Sequence, residues 1–363
     1  MLKILLFIDS LGSGGAQRQM VGLAKLLLDR GYQIKVIYYH SFYFFRAILD
    51  KNYIESEYVS GASNKGKLLF KINHSFKQYK PDVVISFIDG PNIIACLLKL
   101  IGFKYNLITS ERNTTQIINF RERLKFLLLR NADAIVANSF SQEAFIKRKY
   151  PDLLDKTCVI TNFVDTDVFQ PCADIKREEK KEILRIICVA RVHTQKNVLL
   201  FLDALNCLKK EGHLFLVDWF GYKEEPYYTQ CVSKIHYLQL ENVFTFREPT
   251  ESIVQEYQKA DVFCLPSIYE GFPNVVCEAM SCGLPVLCSN VCDNPMIVRD
   301  HDNGLLFDPN DVNDIVAKFK AFFNLSVEEK IRMGKQSRVY AEHDFSKESF
   351  VEKYVQLIES LVK

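Results

Sequence analysis

What this sequence lacks narrows it quickly. In 363 residues there is no uncharged stretch close to the ~20 apolar residues a membrane-spanning helix needs. That sets aside a helical membrane protein. No two cysteines stand in C-x-x-C spacing, and the total of 11 is odd. Several lie inside apolar runs: Cys188, Cys264, Cys277 and Cys288. They are expected as buried small hydrophobes in a reducing compartment, not as disulfides or a metal site. No internal repeat or low-complexity segment is evident. The opening Met1-Leu-Lys-Ile-Leu-Leu-Phe-Ile-Asp9 is too short an apolar run for a secretion signal, so a cytoplasmic protein, soluble or peripheral, is expected.

What is present is ordinary for a globular chain: 48% hydrophobic and 25% charged residues, a length that suits two domains. The net charge of +2 hides an asymmetry. Residues 1–165 hold 23 Lys and Arg against 14 Asp and Glu, a net +9, and the remainder 23 against 30, a net −7. A basic first half suggests an anionic partner surface, membrane or nucleic acid, with chance scatter as the competing explanation.

Apolar runs of strand length alternate with helical spacing throughout, the layout of parallel α/β units. Strands are expected at Ile4–Ile8, 34–39, 82–88, 106–110, 133–137, 183–190, 214–220, 243–246 and 261–265, while residues 46–66 give no clear pattern. After the first strand comes Ser10-Leu-Gly-Ser-Gly-Gly-Ala-Gln17 and then a helix. Strand, glycine loop, helix can cradle a phosphate. The dinucleotide fingerprint G-x-G-x-x-G fails here because position 17 is Gln. The segment 118–130 sets Phe120, Leu124, Leu127 and Leu128 at helical spacing, with Arg121, Arg123, Lys125 and Arg130 on the rest. Two readings stand open: a basic amphipathic helix lying on anionic lipid, or one packing its apolar face on its own domain. The charged segment Lys176–Glu182 marks a linker.

The sequence is organised around Ser267-Ile-Tyr-Glu-Gly-Phe-Pro-Asn-Val-Val-Cys-Glu-Ala-Met-Ser-Cys-Gly-Leu-Pro-Val286. A buried strand precedes it, and Gly271-Phe272-Pro273-Asn274-Val275 opens a helix whose free amides suit an anion. Glu278 is placed to hold a vicinal diol such as ribose, and Glu270 to face whatever lies beyond the phosphate. Bland roles, a helix-dipole acid and a solvated loop acid, compete with these. Upstream, Arg191 and Lys196 flank a strand exit and helix start, a second diphosphate-type pattern.

This stretch resembles the E-x7-E signature of the retaining glycosyltransferase family 4, and Arg191-x4-Lys196 resembles that family's donor-pyrophosphate pair. The resemblance implies the GT-B fold, α/β with two Rossmann-like domains facing across a cleft. It places an acceptor-binding domain at 1–165, a linker at 166–182, a donor-binding domain at 183–345 and a last helix, 346–363, crossing back to the first domain. It implies that Glu278 holds the donor ribose, that Glu270 lies near the transferred sugar, and that Gly14 and Gly15 approach the donor phosphates. Phe246 would lie near the base. Relatives often carry a histidine near the reacting sugar where this chain has Ser110-Glu-Arg-Asn113, so Arg112 is the candidate there, as a forked donor to a phosphate or an acceptor pyrophosphate, with pairing to Glu111 as the alternative.

The expected function is retaining transfer from a nucleotide sugar, a UDP- or GDP-sugar, to a glycan or lipid-linked saccharide in surface polysaccharide synthesis. The alternative is a nucleotide-sugar epimerase of the same fold. A glycoside hydrolase would have no use for the cation pair, and nucleic-acid binding would not explain the glutamate segment. No cofactor and no metal are expected, because the cations and amides can carry the leaving charge. Membrane contact through the basic first half, at the inner face of the cell membrane, follows from such an acceptor.

Overall fold

The computed structural model describes residues 1–61, 63–112, 119–172 and 183–363. They divide into two compact units, Met1–Asn162 with Lys347–Lys363, and Phe163–Ser346.

The first unit is built on seven parallel strands: β1 (Lys3–Phe7), β2 (Gln33–Tyr38), β3 (Glu55–Tyr58), β4 (Val83–Phe87), β5 (Asn106–Glu111), β6 (Ala134–Ala137) and β7 (Thr157–Val159). Their order is β3-β2-β1-β4-β5-β6-β7. From Ile4 to Phe7 in β1, and along all of β4, every residue is buried. That is why these runs are continuously apolar rather than alternating: a parallel sheet is covered on both faces. The second unit repeats the scheme with β8 (Leu184–Val189), β9 (Phe215–Phe220), β10 (Phe244–Arg247), β11 (Val262–Leu265), β12 (Val286–Ser289) and β13 (Gly304–Phe307), in the order β10-β9-β8-β11-β12-β13.

In both sheets the strand order reverses once, between β1 and β4 and between β8 and β11. At such a switch point the two flanking connections leave in opposite directions and a crevice opens at the carboxyl ends of the strands. The first crevice is bordered by the glycine loop after β1 and by Ile88-Asp89 after β4. The second is bordered by residues 190–197 and 266–273. Topology alone thus brings the two halves of the expected donor site, some 75 residues apart in sequence, to one place.

The region 46–66 had no readable pattern. It holds a helix, Arg46–Lys51, and β3. β3 is Glu-Ser-Glu-Tyr at the sheet edge, where a strand is only partly covered and needs no apolar run. Glu55 and Glu57 there neutralise the nearly buried Lys35 of β2 at 2.6 and 2.9 Å. β13 was likewise not read as a strand. Gly304 begins it, because a Cβ there would lie 2.0 Å from the Val286 carbonyl oxygen of β12.

Of the stripe read in the helix Phe120–Leu129, Leu128 alone packs against the core of the first unit, among the described residues. Phe126 and Leu129 are buried, and so is Lys125, while Phe120, Leu124 and Leu127 are exposed. Lys125 turns the helix. Its ammonium is bound by Glu111 at 2.7 Å, Glu122 at 2.9 Å and Asp89 at 3.2 Å. Residues 113–118 lie outside the described ones, and so does the charged linker 176–182.

The last helix, Lys347–Val362, belongs to the first unit. It is tied there by Arg30 to Glu352, 2.9 Å, and by Tyr354, which is fully buried. Residues 166–170, placed in the linker by sequence, pack on the second unit: Phe169 meets Tyr257, and Ser281 donates to the Phe169 carbonyl. The cysteines inside apolar runs are buried and unbridged. Burial pushes the Cys282 thiol up to about 12, which leaves it a hydrophobe in practice.

Candidate active site

At the crevice of the second unit, the loop after β8 and the loop after β11 are fastened together by three bonds. The Ile268 amide donates to the Gln195 carbonyl at 2.8 Å. The Gln195 side-chain amide donates to the Tyr269 carbonyl at 2.8 Å. Lys196 Nζ meets Glu270 Oε1 at 2.5 Å, with only 13% and 9% of the two side chains exposed. A lysine and a carboxylate this well covered must be paired, since either alone would carry a large desolvation cost. His193 closes the short turn between them by accepting the Gln195 amide at Nδ1, 3.1 Å. That is a capping role.

Glu270 is held from a second side. Its backbone amide donates to the Cys292 thiol at 3.5 Å, from the loop after β12. No sequence signal marks Cys292. Gly271-Phe272-Pro273 then carry the chain into the helix Asn274–Ser281. Phe272 is buried and packs edge-on to Phe345, 5.6 Å between ring centres, which fixes where that helix starts. Pro273 precedes the first turn, and no side chain caps it. Within that first turn the Asn274 amide donates to the Phe272 carbonyl at 3.1 Å and the Val276 amide to the Pro273 carbonyl at 3.0 Å. One turn further on, Glu278 is buried and accepts a bond from the Tyr257 hydroxyl at 3.2 Å. At its far end the helix is packed so tightly against Val327–Asp344 that a Cβ on Gly334 would lie 2.3 Å from the Gly283 carbonyl oxygen.

Arg191 stands at the β8 exit, half exposed, with Nη1 on Glu224 Oε1 at 2.7 Å. Glu224 is the first of two acids, Glu224 and Glu225, in the loop that follows β9 and Gly221. The exits of β8 and β9 can approach because position 221 is glycine: a Cβ would sit 2.0 Å from the Ala190 carbonyl oxygen. Phe246 lies on β10, three strands from β11. Its ring packs against Tyr228 and Phe244, at 5.3 and 5.0 Å.

In the first unit Gly14 and Gly15 open the helix Gly15–Asp29 without a side-chain cap. Gln17 folds back over that turn, donating to Asp9 at 3.1 Å, and a Cβ at Gly14 would strike its amide oxygen. Ile88 borders the same crevice with φ +69°, an unusual conformation for a β-branched residue. Behind it is a buried polar network the sequence did not announce. Ser86 donates to Asn92 at 2.7 Å, and Asn92 donates to the Ser110 carbonyl and to Glu111 at 3.1 and 2.9 Å. Glu111 then meets Lys125. Burial raises the Glu111 carboxyl above its ordinary range, opposed by the Lys125 charge.

Arg112 does not present a free fork. Its Nη1 donates to Asn162 at 2.7 Å, its Nη2 to the Tyr354 hydroxyl at 3.0 Å, and its guanidinium lies over the Phe87 ring at 4.2 Å. In this arrangement the fork is engaged by Asn162 and Tyr354 and not by Glu111. Arg112 ties the last helix to the end of β5. The reason was out of reach of local reading, because Tyr354 is 242 residues away.

No Asp-x-Asp pair of the metal-dependent transferase type was expected from the sequence, yet that spacing occurs twice, at Asp165-Thr-Asp167 and Asp300-His-Asp302. Asp165 accepts the Asp167 amide at 3.2 Å, a turn of the chain. Asp300 accepts the Leu306 amide, and Asp302 receives the Tyr340 hydroxyl. Both pairs have structural work in the second unit.

Two parallel, doubly wound α/β units, one with two cations and a glutamate-bearing helix at its switch point, are the architecture of a glycosyltransferase type of molecule. The comparisons with known proteins agree. The family model described as Glycosyltransferase Family 4 matches residues 13–168, and that described as Glycosyl transferases group 1 matches residues 173–340. The chain belongs to the family-4 type of glycosyltransferases and has their GT-B fold. It is 28% identical, over 89% of each chain, to the GalNAc-alpha-(1->4)-GalNAc-alpha-(1->3)-diNAcBac-PP-undecaprenol alpha-1,4-N-acetyl-D-galactosaminyltransferase of Campylobacter jejuni. A glycosyltransferase from Rickettsia africae superposes with a TM-score of 0.87 at 18% identity, covering 100% of this chain and 99% of that one. Anabaena HepE, solved in complex with UDP, does so with 0.86 at 20%, covering 99% and 100%. No helix among the described residues is long and apolar enough to cross a membrane.

Proposed function

We propose that this glycosyltransferase moves a sugar, with retention of anomeric configuration, from a UDP- or GDP-sugar to a lipid-linked saccharide during surface polysaccharide synthesis, at the inner face of the cell membrane. The observation that carries the donor half is the meeting of Lys196 and Glu270 beside the uncapped start of the helix that bears Glu278. The acceptor half is supported by the Campylobacter relative, whose named acceptor is a diphospho-undecaprenol glycan.

In this reading the diphosphate lies against the first-turn amides near Asn274 and Val275, within reach of Lys196. Arg191 exchanges Glu224 for phosphate oxygens. As the bond from the anomeric carbon to the diphosphate oxygen breaks, negative charge builds on the diphosphate, and preorganised donors stabilise it without reorganising. The acceptor hydroxyl oxygen bonds to the same carbon on the same face, and its proton passes to the departing phosphate oxygen. Glu278, held by Tyr257, binds the ribose diol. Glu270 orients Lys196 and faces the sugar. Gly14 and Gly15 meet a phosphate when the Gln17 side chain, folded over their turn, swings aside. Arg112 is left out of the reacting groups. No metal is needed for this charge balance.

The test is incubation with labelled UDP- and GDP-sugars and a polyprenyl-diphosphate oligosaccharide, in the presence of EDTA. The expected product is a labelled lipid with the donor's anomeric configuration. Release of an epimerised nucleotide sugar, or of free sugar only, would replace this reading, and transfer abolished by EDTA would overturn its metal independence.

A further inference from the structure

We propose that the first unit holds a second small-molecule site, at the end of its sheet opposite the crevice, for a small aromatic anion of the nucleoside-monophosphate class. β4 begins at Val83 and β5 at Asn106. The turns that lead into them, 80–82 and 101–105, therefore lie at the amino ends of the strands, whereas the crevice lies at the carboxyl ends. Between these turns and the helix Lys65–Tyr79 is a cavity of about 560 Å³. Small-molecule sites usually fall between about 300 and 1,000 Å³.

The sequence turns one stripe of that helix to the cavity. Asn73, Phe76, Lys77 and Lys80 follow the i, i+3, i+4, i+7 spacing of a shared helix face, and all four line it. Phe103 and Tyr105 meet them from the turn 101–105. The three rings form a box: Phe76 lies 5.9 Å from Tyr105 and 6.3 Å from Phe103, and Phe103 lies 6.3 Å from Tyr105, between centres. Walls of this kind suit a planar ring.

The polar groups define the rest of the ligand. Asn73 Oδ1 is closed to solvent and has no hydrogen-bond partner among the described residues. A buried acceptor left unsatisfied is rare in a folded protein. An asparagine amide carries the donor and the acceptor that a purine edge pairs with. Lys77, Lys80 and Lys104 also line the cavity, and all three are exposed. None of them forms an ion pair among the described residues. Lys77 Nζ sits 6.0 Å from the centre of the Phe103 ring. Asp82, the acid among the lining residues, is held by the Lys3 amide at 2.8 Å. Lys80 ends the helix at φ +52°, a left-handed conformation that helix ends usually give to glycine or asparagine. Lysine there raises the backbone energy and adds a third cation to the lining.

A bare inorganic anion would make no use of the rings, and an uncharged apolar ligand would make none of the lysines. The site shares no residue with the donor crevice, so it does not depend on the proposed function.

The probe is AMP, titrated calorimetrically into the full-length protein, with adenosine and inorganic phosphate as its two halves. The unaltered chain is compared with Lys77→Gln/Lys104→Gln, with Asn73→Leu and with the donor-site variant Glu278→Ala; circular dichroism checks each fold. AMP should bind with a Kd below about 1 mM, tighter than either half. The lysine variant should weaken it at least about tenfold and Asn73→Leu about fivefold, while Glu278→Ala leaves it unchanged. The two lysines are exposed, so their variant decides the matter even if Asn73→Leu loses its fold. No AMP binding, binding of either half equal to that of AMP, or undiminished binding by the lysine variant would each overturn the proposal. So would loss of AMP binding in Glu278→Ala alone, which would put the nucleotide in the donor crevice.

Discussion

Lys196 and Glu270, one from the loop after β8 and the other from the loop after β11, form a 2.5 Å ion pair that is almost closed to solvent. The pair has two consequences that mutation can separate. Lys196→Ala removes a charged donor to the diphosphate, worth about 1.5–3 kcal/mol, or about ten- to a hundredfold in donor Kd. It also leaves Glu270 covered and unpaired, so stability falls as well. Lys196→Met/Glu270→Gln should recover the stability and not the affinity. Calorimetric titration with the nucleotide diphosphate, alongside denaturant melts, reads both.

Glu278→Ala should weaken donor binding by about tenfold or more with the fold retained, because the substitution keeps a good helix former in the helix and leaves the first-turn amides untouched. If neither this variant nor Lys196→Ala changes nucleotide affinity, the donor site is wrongly placed.

Arg112 and Tyr354 should behave as a coupled pair. Tyr354→Phe removes one hydroxyl partner and should cost about 1 kcal/mol. Arg112→Ala should cost more, since it also leaves Asn162 and the Phe87 ring without the guanidinium. The readout is amide hydrogen exchange across 347–362, which should quicken in both. A double variant should show less than the sum of the two effects. Additive effects would mean the contact carries no coupling.

The buried Lys125–Glu111 pair gives a prediction with a pH sign. Burial raises the Glu111 carboxyl, so the stability linked to its protonated form is present below the unfolded carboxylate range and lost as pH rises through the folded value. Lys125 offsets that loss by pairing with the ionised form. In Lys125→Met the Asn92 hydrogen bond remains but the compensating charge is gone. The stability deficit of the variant against the unaltered chain should therefore be small near about pH 4 and grow to about 3–5 kcal/mol near neutrality. Guanidinium melts across that range measure it; a deficit that is flat with pH would refute the pairing.

Gly221→Ala would place a methyl 2.0 Å from the Ala190 carbonyl and 3.1 Å from the Arg191 amide. The strand exits must spread, at a cost of about 1–3 kcal/mol. Thermal melts give the stability loss, and donor affinity should fall with it because Arg191 shifts.

Sequence alone fixed the strand–helix alternation and the glutamate segment, because a strand buried on both faces must be apolar throughout and a helix opening at a Gly-Phe-Pro-Asn turn carries its signature in adjacent residues. It missed β3, whose edge position asks for no apolar run. It left the facing of Phe120–Leu129 open, since hydrophobic spacing says which residues share a stripe but not that a lysine 14 residues from Glu111 will hold the other face inward. It left Arg112 a free donor, because its partner Tyr354 lies at the far end of the chain. Those outcomes turn on which charges are buried together, and burial is a property of the packed molecule that no local window of residues contains.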